Sequence, residues 1–300
     1  MTERAAPADP NPNPDLGPLG QLRGIWVGTG FNILCLPVQP PVTPPPDFLP
    51  FRVKVNATIE ELHFSLISSA PIPNRGFNQP DLKFLGLHYT QKIADRHGEG
   101  GLHFEQGLWL YAPDPRSQPG ILHRLATVPH GSSFLASNGE ALSVQPVPGA
   151  PVFPNADPRP SPETHPDQPF TDSYLDPFFA TTVPGGINPD IPPGAPNAAG
   201  TIDGPIGNPN LVLEKANDGK EFIQHTKFTV RSDSTNVKNI PFIIHNVPVT
   251  SIESTFWVSE FKGFLDLSIL QIQYSQRVIL NFAGIDWPHI SVATLIRPFG

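Results

Sequence analysis

Forty of the 300 residues are proline, and where they fall constrains the fold more than any motif does. Between residues 146 and 209 proline recurs every few positions (Pro146, Pro148, Pro151, Pro154, Pro158, Pro160 and onward), and glycine joins it after Pro184. Proline has no amide N–H to give to a strand ladder, and this stretch is too poor in aliphatic residues to bury a core of its own. The chain is therefore expected to fold through two flanking parts, 15–145 and 210–300, interrupted by a long insertion over 146–209. Phe170, Tyr174, Phe178 and Phe179 give that insertion a means of docking on the main body as a wrap or lid. Residues 1–14 mix proline, asparagine and aspartate with no apolar face, and read as a disordered arm.

In the flanking parts the signals are β. A short helical or turn segment, Asp15 to Leu22, leads into a strand over Gly24 to Leu34. Further strands are expected over Phe51 to Ile59, Leu62 to Ile67, Leu82 to Lys92, Leu102 to Tyr111, Leu122 to Val128 and Ser132 to Ser137. After the insertion come Phe222 to Val230, Ile252 to Phe261, Leu265 to Tyr274, Arg277 to Phe282 and Ile290 to Ile296, most of them bounded by proline, glycine or asparagine turns. This pattern predicts an all-β protein, an antiparallel calycin-like barrel of about ten strands, because closure removes exposed edges and leaves a mouth that can hold a ligand.

The net charge of −8, with no lysine or arginine cluster, disfavours nucleic acid and anionic membranes as partners. No apolar run reaches the ~18 residues of a membrane span, and the polar N-terminus lacks a signal-peptide pattern. A cytoplasmic protein with a small-molecule ligand or substrate is the expectation, with a homodimer as the assembly left open. In such a protein the acceptor triplet Asn56-Ala57-Thr58 carries no glycan. The single cysteine, Cys35, reads as a small buried residue rather than a thiolate ligand. Dinucleotide, P-loop, serine-hydrolase and zinc-protease motifs are all missing.

The last strand is the richest in chemistry. Side chains alternate along a strand, so His289 shares a face with Ser291, Ala293 and Leu295, while Ile290, Val292, Thr294 and Ile296 form a packing face. A histidine above small neighbours can project into a cavity with space for a flat ligand. On spacing alone the favoured alternative is a rim histidine capped by water or a carbonyl.

Four segments, in order, resemble the haem-binding β-barrel family that includes nitrobindin. Leu19 to Gly30 is similar to the opening Gly-x-Trp-x-Gly-x-Gly around Trp26, and Leu85 to Gln91 to the aromatic-x-Gln strand with Tyr89 and Gln91. Leu102 to Leu110 resembles the His-x-Glu-x-Gly-aromatic strand, leading to a turn at Val128-Pro129-His130-Gly131. The closing His289-Ile290-Ser291-Val292-Ala293-Thr294-Leu295-Ile296-Arg297 is the most specific match.

The resemblance implies haem b as cofactor, with iron held by His289 and with Trp26, Tyr89 and Gln91 around the pocket. It also implies handling of nitric oxide or peroxynitrite, as a haem-dependent isomerase. A distal imidazole from His130 or His103 would turn the chemistry towards peroxidase-like oxidation. Arg75, in the turn-rich loop Pro71 to Pro80, either meets a haem propionate or is simply solvated. Asp286 and the backbone near Trp287 are the nearest partners for the second ring nitrogen of His289, and Arg297 either packs on Trp26 or is exposed. Two other readings stand beside this one. A cofactor-free calycin would bind or transform a hydrophobic molecule oriented by Glu105, Gln91 and Tyr89. An interaction protein would act through its proline-rich segment.

Overall fold

The computed structural model describes residues 14–43, 51–78, 80–98, 100–114, 117–138, 146–164, 205–263 and 267–298. Residues 1–13 of the arm, half of the loop from Pro37 to Pro50 and the aromatic group Phe170 to Phe179 lie outside them.

Among the described residues fourteen strands follow a 3-10 segment, Pro14–Gln21. In the first half they are β1 (Gly24–Pro37), β2 (Phe51–Leu66), β3 (Ile72–Asn74), β4 (Leu82–Asp95), β5 (Gly101–Asp114), β6 (Ser117–Val128) and β7 (Ser132–Ser137). Then come β8 (Val147–Pro148), β9 (Ser161–Pro162), β10 (Phe222–Ser232), β11 (Val237–Asn239), β12 (Val249–Lys262), β13 (Ser268–Phe282) and β14 (Ile285–Ile296). Ten of them form a closed antiparallel barrel in the order β1–β2–β4–β5–β6–β7–β10–β12–β13–β14 and back to β1. The protein is all-β, as the turn-punctuated strand pattern requires. The seam between β7 and β10 is made at one register pair, Ser137 with Arg231, whereas β1 pairs β2 along its whole length.

Two expected breaks between strands are absent. Phe51–Leu66 is one strand where the doublet Glu60-Glu61 suggests a break, and Ser268–Phe282 is one strand through Ser275-Gln276. In both, the polar residue that interrupts the apolar pattern points into the barrel.

The even-numbered residues of β1 and β2 face inward, from Trp26 and Leu62 at the floor to Leu34 and Lys54 towards the mouth. Leu16, Leu19 and Leu22 of the N-terminal segment are fully buried against this floor, and the Trp26 indole N–H donates to the Leu22 carbonyl at 2.7 Å. Above them Trp109 meets Phe228 and Phe256 edge-on at 5.6 and 5.2 Å. Each such side chain contributes about 1.5–3 kcal/mol by leaving water. Gly28 serves close strand approach: a Cβ there would lie 2.0 Å from the Thr294 carbonyl oxygen, in the pairing of β1 with β14.

A second apolar cluster lies on the opposite face of the wall, where Phe31, Ile33, Val53, Val55, Trp257, Ile290 and Val292 are buried. Phe153 and Ile206, from the two described ends of the proline-rich insertion, and Leu213, just after it, pack against it. Phe153 sits edge-on to Trp257 at 4.8 Å. Cys35 is buried in the same cluster. The turn from β13 into β14 is built on Ala283 and Gly284, both at positive φ (56° and 69°), the backbone that joins strands tightly. It sets the start of the strand that carries His289.

Candidate functional site in the barrel mouth

A cavity of about 420 Å³ opens in the upper half of the barrel, within the size range of small-molecule sites. His289 of β14, His103 of β5 and His130 of the β6–β7 turn all line it, three residues far apart in sequence that closure of the barrel brings together. The imidazoles of His103 and His130 stack with centroids 5.4 Å apart. One part of the wall is apolar, including Leu34, Ile93, Ile252 and Val278; another is polar, including Asn56, Glu60 and Gln276.

His289 is held by an unexpected partner. Its Nε2–H donates to Asn32 Oδ1 at 2.6 Å, and Ser291 Oγ donates to the same oxygen at 3.0 Å. Antiparallel pairing of the first and last strands sets Asn32 opposite Ser291 and so creates this contact. Burial, reinforced by His103 and His130 nearby, pushes the His289 imidazole down to about 3, so it is neutral at physiological pH. Asp286 instead accepts from Asn281 Nδ2 at 2.9 Å.

Beneath the histidines runs a belt of buried polar groups. Arg124, 1 % exposed, donates from Nε to the Tyr89 hydroxyl at 2.9 Å and from Nη2 to Glu105 Oε1 at 2.5 Å. Its Nη1 donates to Ser254 Oγ and Gln276 Oε1, both at 2.8 Å. Burial alone would raise the Glu105 carboxyl, but Arg124, with help from His103 and Tyr89, outweighs it and holds the group at about 2. Glu105 Oε2 lies 3.3 Å from His103 Nε2, so a fixed anion orients that imidazole.

Glu60 is treated differently. Its Oε1 accepts from Thr58 Oγ1 at 3.0 Å and its Oε2 from Tyr274 OH at 2.5 Å and Gln91 Nε2 at 3.3 Å. Burial raises it to about 7 against the pull of those hydrogen bonds. Two carboxyls facing one cavity are thus driven apart, one permanently charged and one poised near neutrality, the environment split that separates acid–base roles.

The other residues named from sequence are dispersed. Tyr89 and Gln91 sit in the buried belt, bonded to Arg124 and to Glu60 and Tyr274. Trp26 is at the floor, with the Arg297 guanidinium 4.7 Å from its ring centroid. Arg75 is on the surface, its side chain 79 % exposed and bonded to Asp81 at 2.5 Å. Asn32, Glu60 and Arg124 were not singled out by sequence reasoning. The available signal was parity: Glu60 shares a face with Leu62 and Phe64, and Arg124 with Leu122 and Ala126, each a charge on an apolar face. Asn56 is fully buried, closed to any glycan.

Among the described residues no group of three or more His, Cys, Asp or Glu is arranged to hold a metal ion, and no helix is long and apolar enough to cross a membrane. No protein-family model matches the chain, and no curated protein matches it in sequence. Among solved structures, Rv2717c from M. tuberculosis is similar at 13 % identity, over 96 % of this chain and 100 % of that one, with a TM-score of 0.41. Fold and cavity together define a β-barrel compatible with a calycin-like ligand-binding protein.

Proposed function

We propose that the barrel binds haem in its mouth, with His289 as the iron ligand. The observation that carries this reading is the state of that imidazole: it faces the cavity, is neutral, and has one N–H fixed by Asn32. Haem iron is commonly held by one neutral imidazole, and a ligating ring works best when its other nitrogen donates to a fixed acceptor. The lone pair left in this arrangement is on Nδ1, which makes no hydrogen bond among the described residues. The absence of a three-residue metal cluster does not weigh against a porphyrin, which brings its own four nitrogens.

The apolar wall formed by Leu34, Leu36, Val278 and Leu280 suits a macrocycle edge, and Lys54 on the same cavity suits a propionate. His103 and His130 then stand where a small ligand would be received, His103 oriented by the Glu105 anion. When bound, haem would supply the iron chemistry of nitric oxide, peroxynitrite or peroxide. This chain's residues would orient the ligand, exclude water and hold protons at the His103 and His130 nitrogens. Titration with hemin, followed by absorption, tests the reading. One haem per chain with a sharp Soret band supports it; unsaturable, featureless uptake overturns it.

A second reading has one observation in its favour, the polar part of the wall, which is richer in acceptors than a porphyrin face uses. A cofactor-free barrel would bind a small amphipathic molecule there. It predicts that His289→Ala leaves binding of such a molecule intact.

A further inference from the structure

The inward stripe Asn56–Thr58–Glu60 of β2 has acceptors in excess of donors. Asn56 donates its amide N–H to Asp95 Oδ2 at 2.5 Å, which leaves Asn56 Oδ1, buried on the cavity wall, with no hydrogen-bond partner. Glu60 Oε1 has a single donor, Thr58, although a carboxylate oxygen can accept two. Among the described residues no ion pair involves Glu60, while Glu105 across the barrel has Arg124. A buried carboxylate with no cation is costly unless donors surround it. Ile93, opposite Glu60 in the pairing of β2 with β4, puts an apolar side chain beside it on the cavity wall.

From this arrangement we infer that Glu60 forms a second ligand site, which recognises a neutral, partly apolar organic molecule through an O–H donor. Phenols and enols are the class: the O–H donates to Glu60 Oε1 and the ring rests on Ile93. The absence of a paired cation excludes a carboxylate ligand at this point, and the want of donors on the stripe selects a molecule that brings one. The site goes beyond the haem reading and does not require it.

Binding is coupled to protonation. Only the ionised carboxylate gains the full donor, so an O–H ligand favours loss of the Glu60 proton, and by linkage proton loss favours the ligand. Burial sets that titration near 7 in the unliganded protein. Tyr274 from β13 bonds to Glu60 and His103 from β5 acts on its charge, while Glu105 from β5 and His289 from β14 line the same cavity. Beyond them lie His130, Lys54, Arg124 behind Glu105, and Asp95 behind Asn56. Of these, Glu105 and His289 keep one charge state across neutral pH.

The test is calorimetric titration of the whole protein with phenol, which stays neutral below about pH 9. The expected result is an affinity that falls up to about tenfold per pH unit below about 7, with proton release seen as a buffer-dependent heat. Glu60→Gln should bind with a flat pH profile and no proton release, and hemin is titrated into the same variants as a separate readout. Should Glu60→Gln fail to fold, Tyr274→Phe carries the test: losing a donor to Oε2 must move the profile to higher pH. No binding of phenol, a wild-type affinity that ignores pH between about 6 and 8, or an unmoved Tyr274→Phe profile overturns the inference. Because hemin is scored in the same variants, failure of this site and failure of the haem reading give different results.

Discussion

His289 donates to Asn32 across the pairing that joins the last strand of the barrel to the first, a 2.6 Å contact between residues 257 positions apart. Closure of the barrel and orientation of the candidate iron ligand are therefore one structural event. Asn32→Ala removes the acceptor and leaves the ring free to turn. Loss of such an orienting partner weakens metal affinity by about 10- to 100-fold, and the hemin dissociation constant of the variant should rise by that factor. An unchanged constant would mean that Asn32 does not orient the ligand.

Two titrating groups of the cavity, Glu60 and His289, push stability in opposite directions with pH. Glu60 is raised from 4.5 to about 7, so the folded state holds its proton more tightly and stability is lost as pH rises through that window. His289 is lowered from 6.5 to about 3, so stability is lost as pH falls through that window, where the unfolded chain takes the proton first. Glu60→Gln should accordingly be more stable than wild type above pH 7, by up to about 3 kcal/mol, with the gap closing near pH 4.5. Thermal melts of both proteins across that range check the sign.

The Arg124–Glu105 pair is fully buried, and each partner is also bonded to Tyr89. Glu105→Gln strands the guanidinium inside the barrel. Breaking a buried pair from one side costs about 3–5 kcal/mol, and the urea midpoint should fall to match. Replacing both, Arg124→Met with Glu105→Leu, should recover much of that loss, because the charge needing a partner is gone. Recovery of stability without recovery of hemin binding would assign the pair a role in orienting His103.

Gly28→Ala tests the strand approach. Its Cβ would meet the Thr294 carbonyl, forcing β1 and β14 apart where Asn32 and His289 must also meet. Overpacking of this kind costs about 1–3 kcal/mol. The variant should lose stability and hemin affinity together, whereas a surface change such as Arg75→Ala should alter neither.

Much of the barrel can be read from the chain, for a physical reason. Strands punctuated by proline and glycine turns leave few alternatives to a closed antiparallel sheet, and parity along β14 puts His289 on the Ala293 and Leu295 face. The two misplaced breaks, at Glu60 and near Gln276, carry the lesson. Polar residues inside a strand look like turns to a local reading, yet here they are the buried polar lining of the cavity. Local pattern cannot separate a solvated doublet from a buried network, because two of the three donors to Glu60, Gln91 and Tyr274, come from other strands. Asn32 was illegible for the same reason: its role exists only in the register of β1 with β14. His103 and His130 could be suspected singly, but their stacking depends on closure of the barrel.

The most direct test of the central claim replaces the ligand itself. His289→Gly is titrated with hemin, and free imidazole is then added. If His289 holds the iron, the variant should lose the wild-type Soret band and imidazole should restore its position at one haem per chain. A His289→Gly protein whose hemin spectrum already matches wild type, and does not respond to imidazole, would contradict the account.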